Sequence, residues 1–516
     1  MVHEIPERRL GEPRHLRIGT VGAGAAGLKL AYQMERHMKV VDHIIYEKNA
    51  EVGGTWYENR YPGRACDIPS QNYQFTWEPN PDWNNLYSPA PEILEYFMRL
   101  AKKYDQYRFI KLGHQVVGAR WISSEGIWRI KVKVLETDTI IEDWCHFMIA
   151  ASGILNNWKW PDIPGLHSFK GELMHSGAWE TGTTWEDKTV AVLGCGSSGV
   201  QIVPTMQPTV KNLITFIRTP TRITAGFAQS KAGPNGTNFA FSRERKNEFK
   251  ADPDAYLRYR KEIEHELNSR FKFIIKDSPE QEEAVRFATN EMRTKLGEDS
   301  PLIKHLLPTF AVGCRRLTLG NGYLEALTKE NVRVVTDAIS EIVPEGIKLT
   351  TGEWKERPKE YMSLAMDDFP NHFMFLGPNA PIGHSSVLPI QATKYIMQML
   401  HNCQTESVKS VVAKGAAVED FTRHIDEFMK RTAWSSHCRS WFKNGTIDSP
   451  IVAVHPGSRI HWFHMLENPR YEDFEWESLS PNRFAYLGNG FSMKEEEGLD
   501  TAFYFDGPES GFERFR

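Results

Sequence analysis

The chain has 516 residues, 41% hydrophobic and 25% charged, a globular composition with room for two or three domains and no case for wholesale disorder. A formal net charge of −4 excludes the strong basic field that makes nucleic acid a main partner. The six cysteines (Cys66, Cys145, Cys195, Cys314, Cys403, Cys438) form no CxxC pair, which argues against a zinc site or a redox dithiol and for reduced thiols in a cytoplasmic setting.

Residues 1–14 read as a loose tail crowded with charge and proline, without an apolar signal core, and no run has the length of a membrane-spanning helix. Leu16 to Val21 reads as a strand that runs into Gly22-Ala23-Gly24-Ala25-Ala26-Gly27 and a helix-compatible segment. Glycines at this spacing permit a tight strand-to-helix turn and let the backbone approach a pyrophosphate at the positive helix N-terminus. The run His43 to Glu47 then reads as a second strand, ending in an acid about twenty residues past the last glycine. A carboxylate there accepts both hydroxyls of an unphosphorylated ribose, as in FAD or NAD.

The segment Gly53 to Asp67 follows, with Trp56, Tyr57 and Tyr61 as aromatic surface and Asp67 beyond the turn-forming Pro62-Gly63. Strands are expected at Trp128 to Val134 and His146 to Ala151, and a turn-rich boundary at Pro161 to Gly165. A second unit starts at Thr189 with an apolar run into Gly194-Cys195-Gly196-Ser197-Ser198-Gly199. Its second strand, Leu213 to Ile217, ends in Arg218-Thr219 rather than in an acid, and a cation there suits a 2′-phosphate. Two such loops predict two dinucleotides and electron transfer between them, FAD on the first and NADPH on the second. The fold expected is α/β, with two Rossmann-like dinucleotide-binding domains.

A charged stretch from about Ser242 to Leu296 carries helical spacing in Tyr256, Tyr259, Ile263 and Leu267, and predicts a helical insertion over about 225–310. Asn331 to Val335 resumes strand character. Phe373 to Asn379 reads as a strand returning to the first domain, and Pro481 to Gly490 as an aromatic strand and turn. The division expected is 1–165 for the first part of the FAD domain, 166–353 for the NADPH domain, and 354–516 for the second part of the FAD domain.

Between the two units lie Phe169, Gly171, His175, Trp179 and Glu180. Their spacing, together with the Gly54-to-Asp67 segment, resembles the signatures of the type I Baeyer–Villiger monooxygenases, except that Glu180 stands where Pro or Asp is usual. The second half is most similar to fungal members that tailor polyketide or terpenoid secondary metabolites. The resemblance implies a flavoprotein that uses NADPH and O2 to insert one oxygen beside a ketone carbonyl, giving an ester or lactone. It implies that Thr55, Trp56, Tyr57, Glu58, Asp67, Ile68 and Tyr73 line FAD, with Gly22, Gly24, Gly27 and Glu47. It implies NADP contacts from Ala65, Cys66, Asp67, the loop Gly194 to Gly199, Arg218, Thr219, Arg315 and Trp441. It makes Arg316 the catalytic arginine, with Asp67 to hold it: a guanidinium cannot deprotonate, so it stabilises negative charge through the reaction.

Taken alone, the same residues have plainer readings. Asp67 serves equally as a turn cap, Arg315-Arg316 as exposed charge, and Trp56, Tyr57 and Trp179 as packing, while His175 suits a structural hydrogen bond. One departure from the family pattern stands out. Gly346 to Glu353 runs directly into Trp354 to Pro358, so a linking strand and loop, on the order of a few tens of residues, is missing. That keeps a catalytically impaired flavoprotein homologue as one rival expectation; the other is an N- or S-oxygenating flavin monooxygenase, against which Trp179 and the Gly54-to-Asp67 segment argue.

Overall fold

The computed structural model describes residues 5–496, apart from 155, 225–227, 338, 340, 344–345, 349–359 and 382–389, together with residue 502. Its central element is a five-stranded parallel sheet in the order His372–Met374, Phe147–Ala150, Leu16–Val21, Val41–Tyr46, Ile110–Lys111. Both faces are covered, as a parallel sheet requires. On one face Leu16 and Ile18 pack with Leu30 and Met34 of the helix Ala25–His37 and with Tyr395 and Met399 of the helix Ile390–Thr405. On the other, Tyr46 meets Trp128, Ile130 and Val132 of a three-stranded antiparallel sheet, His114–Ile122, Ile127–Val134 and Thr139–Cys145. The strand His372–Met374 brings the late part of the chain back to the first sheet, about 220 residues after the strand that it pairs with.

The second glycine loop belongs to a three-stranded parallel sheet, Val332–Val335, Asn212–Phe216 and Thr189–Leu193. The helix Gly199–Met206 lays Val200 and Val203 on Leu213, beside Tyr323 and Leu324. The charged stretch forms three helices, Arg243–Ala251, Pro253–Ser269 and Pro279–Leu296. Each starts on a side-chain cap, from Ser242, Asp252 and Ser278 in turn, and the latter two helices have proline in the first turn. Ile263 and Leu267 join the core of the first unit beneath Phe97 and Trp83, so this segment is packed and not a solvated appendage.

Three expectations need correction. Pro481 to Gly490 forms no strand: the Asn482 side chain accepts from Phe484 N, and Ala485–Leu487 is a short 3-10 turn, since an Asx-type turn competes with a ladder. The strand expected over Phe373 to Asn379 is shorter and ends at Met374. The thiols are not all reduced: Cys314 and Cys438, 124 residues apart, form a disulfide, leaving Cys66, Cys145, Cys195 and Cys403 free and buried. The direct link after Glu353 lies outside the described residues; before it, Glu341–Val343 and Gly346–Lys348 pair as an antiparallel hairpin. Among the described residues, no helix is long and apolar enough to cross a membrane.

Candidate functional site

The first glycine turn is closed by the protein around it. A Cβ on Gly22, where φ is +106°, would lie 2.6 Å from the carbonyl oxygen of Ala151, and one on Gly24 would lie 3.6 Å from the Gly54 Cα. Glu47 is 4% exposed at the end of its strand. Its carboxylate accepts from Ala23 N at 2.8 Å and from the backbone and side-chain amides of Asn49, both at 2.8 Å. The acid is thereby fixed over the glycine loop. Neighbouring Glu58 takes Lys48 at 2.9 Å and the Asn49 amide at 2.9 Å.

The segment after Gly54 starts as one helical turn, Thr55–Glu58. The Trp56 indole donates to the Tyr73 hydroxyl at 3.1 Å, and their rings meet edge to face. Cys66 and Ile68 are buried in the core of the first unit, where burial pushes the Cys66 thiol up. Thr55 is exposed and Tyr57 half-buried.

The second glycine turn reaches back to this segment. Gln201, one turn into the following helix, accepts from the Tyr61 hydroxyl at 3.0 Å and from Ala65 N at 3.4 Å, and donates to Ala65 O at 3.0 Å. Gly63 is pressed so close that a Cβ would strike Gln201 O at 2.6 Å. Sequence reasoning passed over Gln201, whose only local signal is a polar side chain two residues past the last glycine.

Arg316 joins this segment to the second glycine turn. It donates to the Asp67 carboxylate at 2.6 Å and to the Ser197 hydroxyl at 2.6 Å, across sequence separations of 249 and 119 residues. The pair is partly open to solvent, at 37% and 21% side-chain exposure, so its value lies in orientation more than in stability. Arg315 turns the other way and donates to Pro220 O at 3.0 Å. Burial draws its guanidinium below the ordinary value, with Cys195 opposing and Arg218 adding to the effect. Arg218 is exposed beside half-buried Thr219, and Cys195 lies against Thr219 O.

Arg316 and Arg315 also line a cavity, together with the aromatic residues Phe271, Phe273, Trp434 and Phe442. Trp441 is 41% exposed and lies against Phe442, outside this lining, while Ser440 caps their turn. Cys314, bonded to Cys438, ties the arginine loop to this late segment. His175 is not brought to the cavity. It stacks on Trp158 at 4.7 Å and its Nδ1 accepts from Gly177 N, while Trp179 packs on the core of the second unit. No cluster of metal-ligating side chains occurs among the described residues.

Comparisons with known proteins bear on the family and the fold. The family described as an NAD(P)-binding Rossmann-like domain matches residues 20–90, the first unit through its aromatic segment. An FAD-binding monooxygenase of Aspergillus terreus, tazF, is 37% identical over 95% of both chains. A Baeyer–Villiger monooxygenase of Pseudomonas aeruginosa is 26% identical over 83% of this chain and 85% of its own. Among solved structures, cyclohexanone monooxygenase from Rhodococcus sp. Phi1 bound to NADP+ superposes with a TM-score of 0.75, covering 90% of this chain and all of that one at 24% identity, which establishes the fold. The chain belongs to the FAD-binding monooxygenases of the Baeyer–Villiger type.

Proposed function

We propose that the protein is an FAD- and NADPH-dependent Baeyer–Villiger monooxygenase. It converts a ketone, O2, NADPH and a proton into an ester or lactone, NADP+ and water. The observation that carries the proposal is Arg316, held between Asp67 on the first unit and Ser197 on the second glycine turn. The residues present fit both groups. The turn at Gly22 is tight enough that a Cβ there would strike the Ala151 carbonyl, as a dinucleotide-binding turn requires, and Glu47 stands at the strand end where the ribose is expected. The second turn is open and flanked by the cations Arg218 and Arg315.

Bound FAD supplies the oxygen-transfer chemistry; the chain supplies charge, orientation and dryness. Trp56, Tyr57, Glu58, Asp67, Ile68 and Tyr73, with Thr55, form the FAD side, while Ala65, Cys66 and residues 194–199 form the NADP side. Arg316 stays cationic and stabilises the negative charge that develops on oxygen as the ketone carbonyl is attacked. Asp67 holds the guanidinium and offsets part of its charge. The aromatic wall gives an apolar ketone a dry seat beside it.

This reading carries the division into 1–165, 166–353 and 354–516, supported by the returning strand His372–Met374 and the insertion helices. It also carries a role in fungal-type secondary metabolism, supported by the likeness to tazF. Arg316→Ala tests the assignment. The variant should bind FAD and oxidise NADPH while ester formation falls at least 100-fold, as on removing a charge-stabilising donor. Normal ester yield by mass spectrometry over a ketone panel would refute the role. A parallel sulfide panel that alone gives product would instead favour heteroatom oxygenation, and no product from either would favour an impaired homologue.

A further inference from the structure

The stretch Arg64 to Cys66 is bonded along one edge by its own unit. Cys66 N donates to Ser88 O and Ala90 N to Arg64 O, both at 3.1 Å, with Ala65 opposite Pro89 in an antiparallel bridge. Successive residues of extended backbone turn their polar groups to opposite edges, so the N–H and C=O of Ala65 point away from that bridge. There they meet Gln201, whose side-chain amide accepts from Ala65 N at 3.4 Å and donates to Ala65 O at 3.0 Å. A primary amide offers an acceptor and a donor much as a peptide group does. Gln201 thus serves as a short strand edge lent by the second unit. Its oxygen also takes the Tyr61 hydroxyl at 3.0 Å, and the three bonds together fix which end of the amide is which.

The grip on Ala65 is passed on to the arginine. Two residues of chain span at most about 7 Å, so holding Ala65 keeps Asp67 on a short leash. Asp67 takes Arg316, and Arg316 takes Ser197, four positions before Gln201 at the start of the helix Gly199–Met206. The contacts close a ring that runs from Gln201 through Ala65, Asp67, Arg316 and Ser197 back to Gln201. One contact between two bodies is a pivot. A second contact, one helical turn away, opposes rotation about the first.

We propose that Gln201 is a positioning residue that sets the register between the two dinucleotide units, so that hydride passes from NADPH to the flavin at full rate. In that step NADPH gives up a hydride and becomes NADP+, and the flavin takes the hydride with one proton. Gln201 acts through Ala65 and Asp67 and is not itself a catalytic residue. The inference rests on the proposed function for the order of turnover, and the two can fail separately because flavin reduction needs no ketone. A misplacement of about 1 Å between reacting groups costs up to about 100-fold in rate, which sets the expected effect at tenfold or more.

The test mixes the FAD-loaded enzyme with NADPH in the absence of oxygen and follows the loss of visible flavin absorbance. Gln201→Leu removes the whole amide, and Gln201→Glu, of the same length, sets a second oxygen against the Ala65 carbonyl. At saturating NADPH each variant should be reduced at least tenfold more slowly than the wild type. Flavin content, and the dissociation constant for NADP+ from the flavin difference spectrum, should stay within about threefold. Thr205→Val is the control: Thr205 packs on Gly63 from the same helix but bonds only to Gln201 O, so its reduction rate should match the wild type. A Gln201 variant that melts lower yet is reduced at the wild-type rate overturns the inference, because the residue then serves stability alone. So does a slowing that disappears at saturating NADPH, which marks a binding residue, or a Thr205→Val variant slowed as much as Gln201→Leu. If Gln201→Leu fails to fold, Gln201→Glu decides. Rapid wild-type reduction with no ester from any ketone would sink the oxygenation reading and leave the positioning role standing.

Discussion

Residues 22–27 and 194–199 make the same turn, yet their surroundings differ. The first is enclosed: Gly22 is pressed on the Ala151 carbonyl, Gly24 on Gly54, and Glu47 is locked by three hydrogen bonds at the end of a sheet covered on both faces. The second is bare, because a Cβ on Gly194 or Gly196 would meet no protein atom within 4 Å, and the adjoining cation Arg218 is exposed. Enclosure suits a group retained through turnover, and openness suits one that enters and leaves each cycle. The contrast separates a prosthetic group from a co-substrate on protein geometry.

The hardest test of this contrast is Gly22→Ala. The substitution sets a Cβ 2.6 Å from a backbone oxygen at a φ of +106°, a strain of roughly 2–3 kcal/mol with no flexible neighbour to yield. The protein should purify with little flavin and melt lower, read by visible absorbance after desalting and by thermal denaturation. Gly196→Ala, in open space, should keep its flavin. Equal flavin content in the two variants would erase the distinction. A smaller effect sharpens the second loop: Arg218→Ala should raise the KM for NADPH about tenfold or more while leaving that for NADH unchanged, since only the phosphorylated ribose uses a charge-assisted contact there. An equal loss for both coenzymes would remove Arg218 from the phosphate site. The smallest effect concerns the seam. Gln201→Leu leaves the Tyr61 hydroxyl and the Ala65 backbone without their partner, at about 1–2 kcal/mol, so the melting temperature should fall by a few degrees while flavin content holds. An unchanged melting curve would show that the two units are held elsewhere.

Local signals were legible in the sequence. The strand–glycine–helix turns, Glu47 and Arg218 at their strand ends, and the helical spacing of the charged stretch each follow from residues within about twenty positions of one another. Asp67 and Arg316 were legible only through resemblance, because no periodicity links side chains 249 residues apart. Gln201, the Arg316–Ser197 bond, the pairing of Cys314 with Cys438, and the cavity wall drawn from Phe271 to His455 depend on how distant segments meet. Pro481 to Gly490 failed for a different reason. Its aromatic residues suggested a ladder, but Asn482 satisfies the backbone locally, and Phe484 remains exposed.

The disulfide has a reach beyond its own neighbourhood. By joining Cys314 to Cys438 it makes a covalent ring of the chain between them, bounded at one end by the arginine pair and at the other by Ser440 and Trp441. A closure of that length restricts the unfolded ensemble by about 4–5 kcal/mol in the chain-entropy treatment. A thiol reductant therefore acts as a denaturant specific to one covalent bond, and the redox history of a preparation becomes a variable of its heat tolerance.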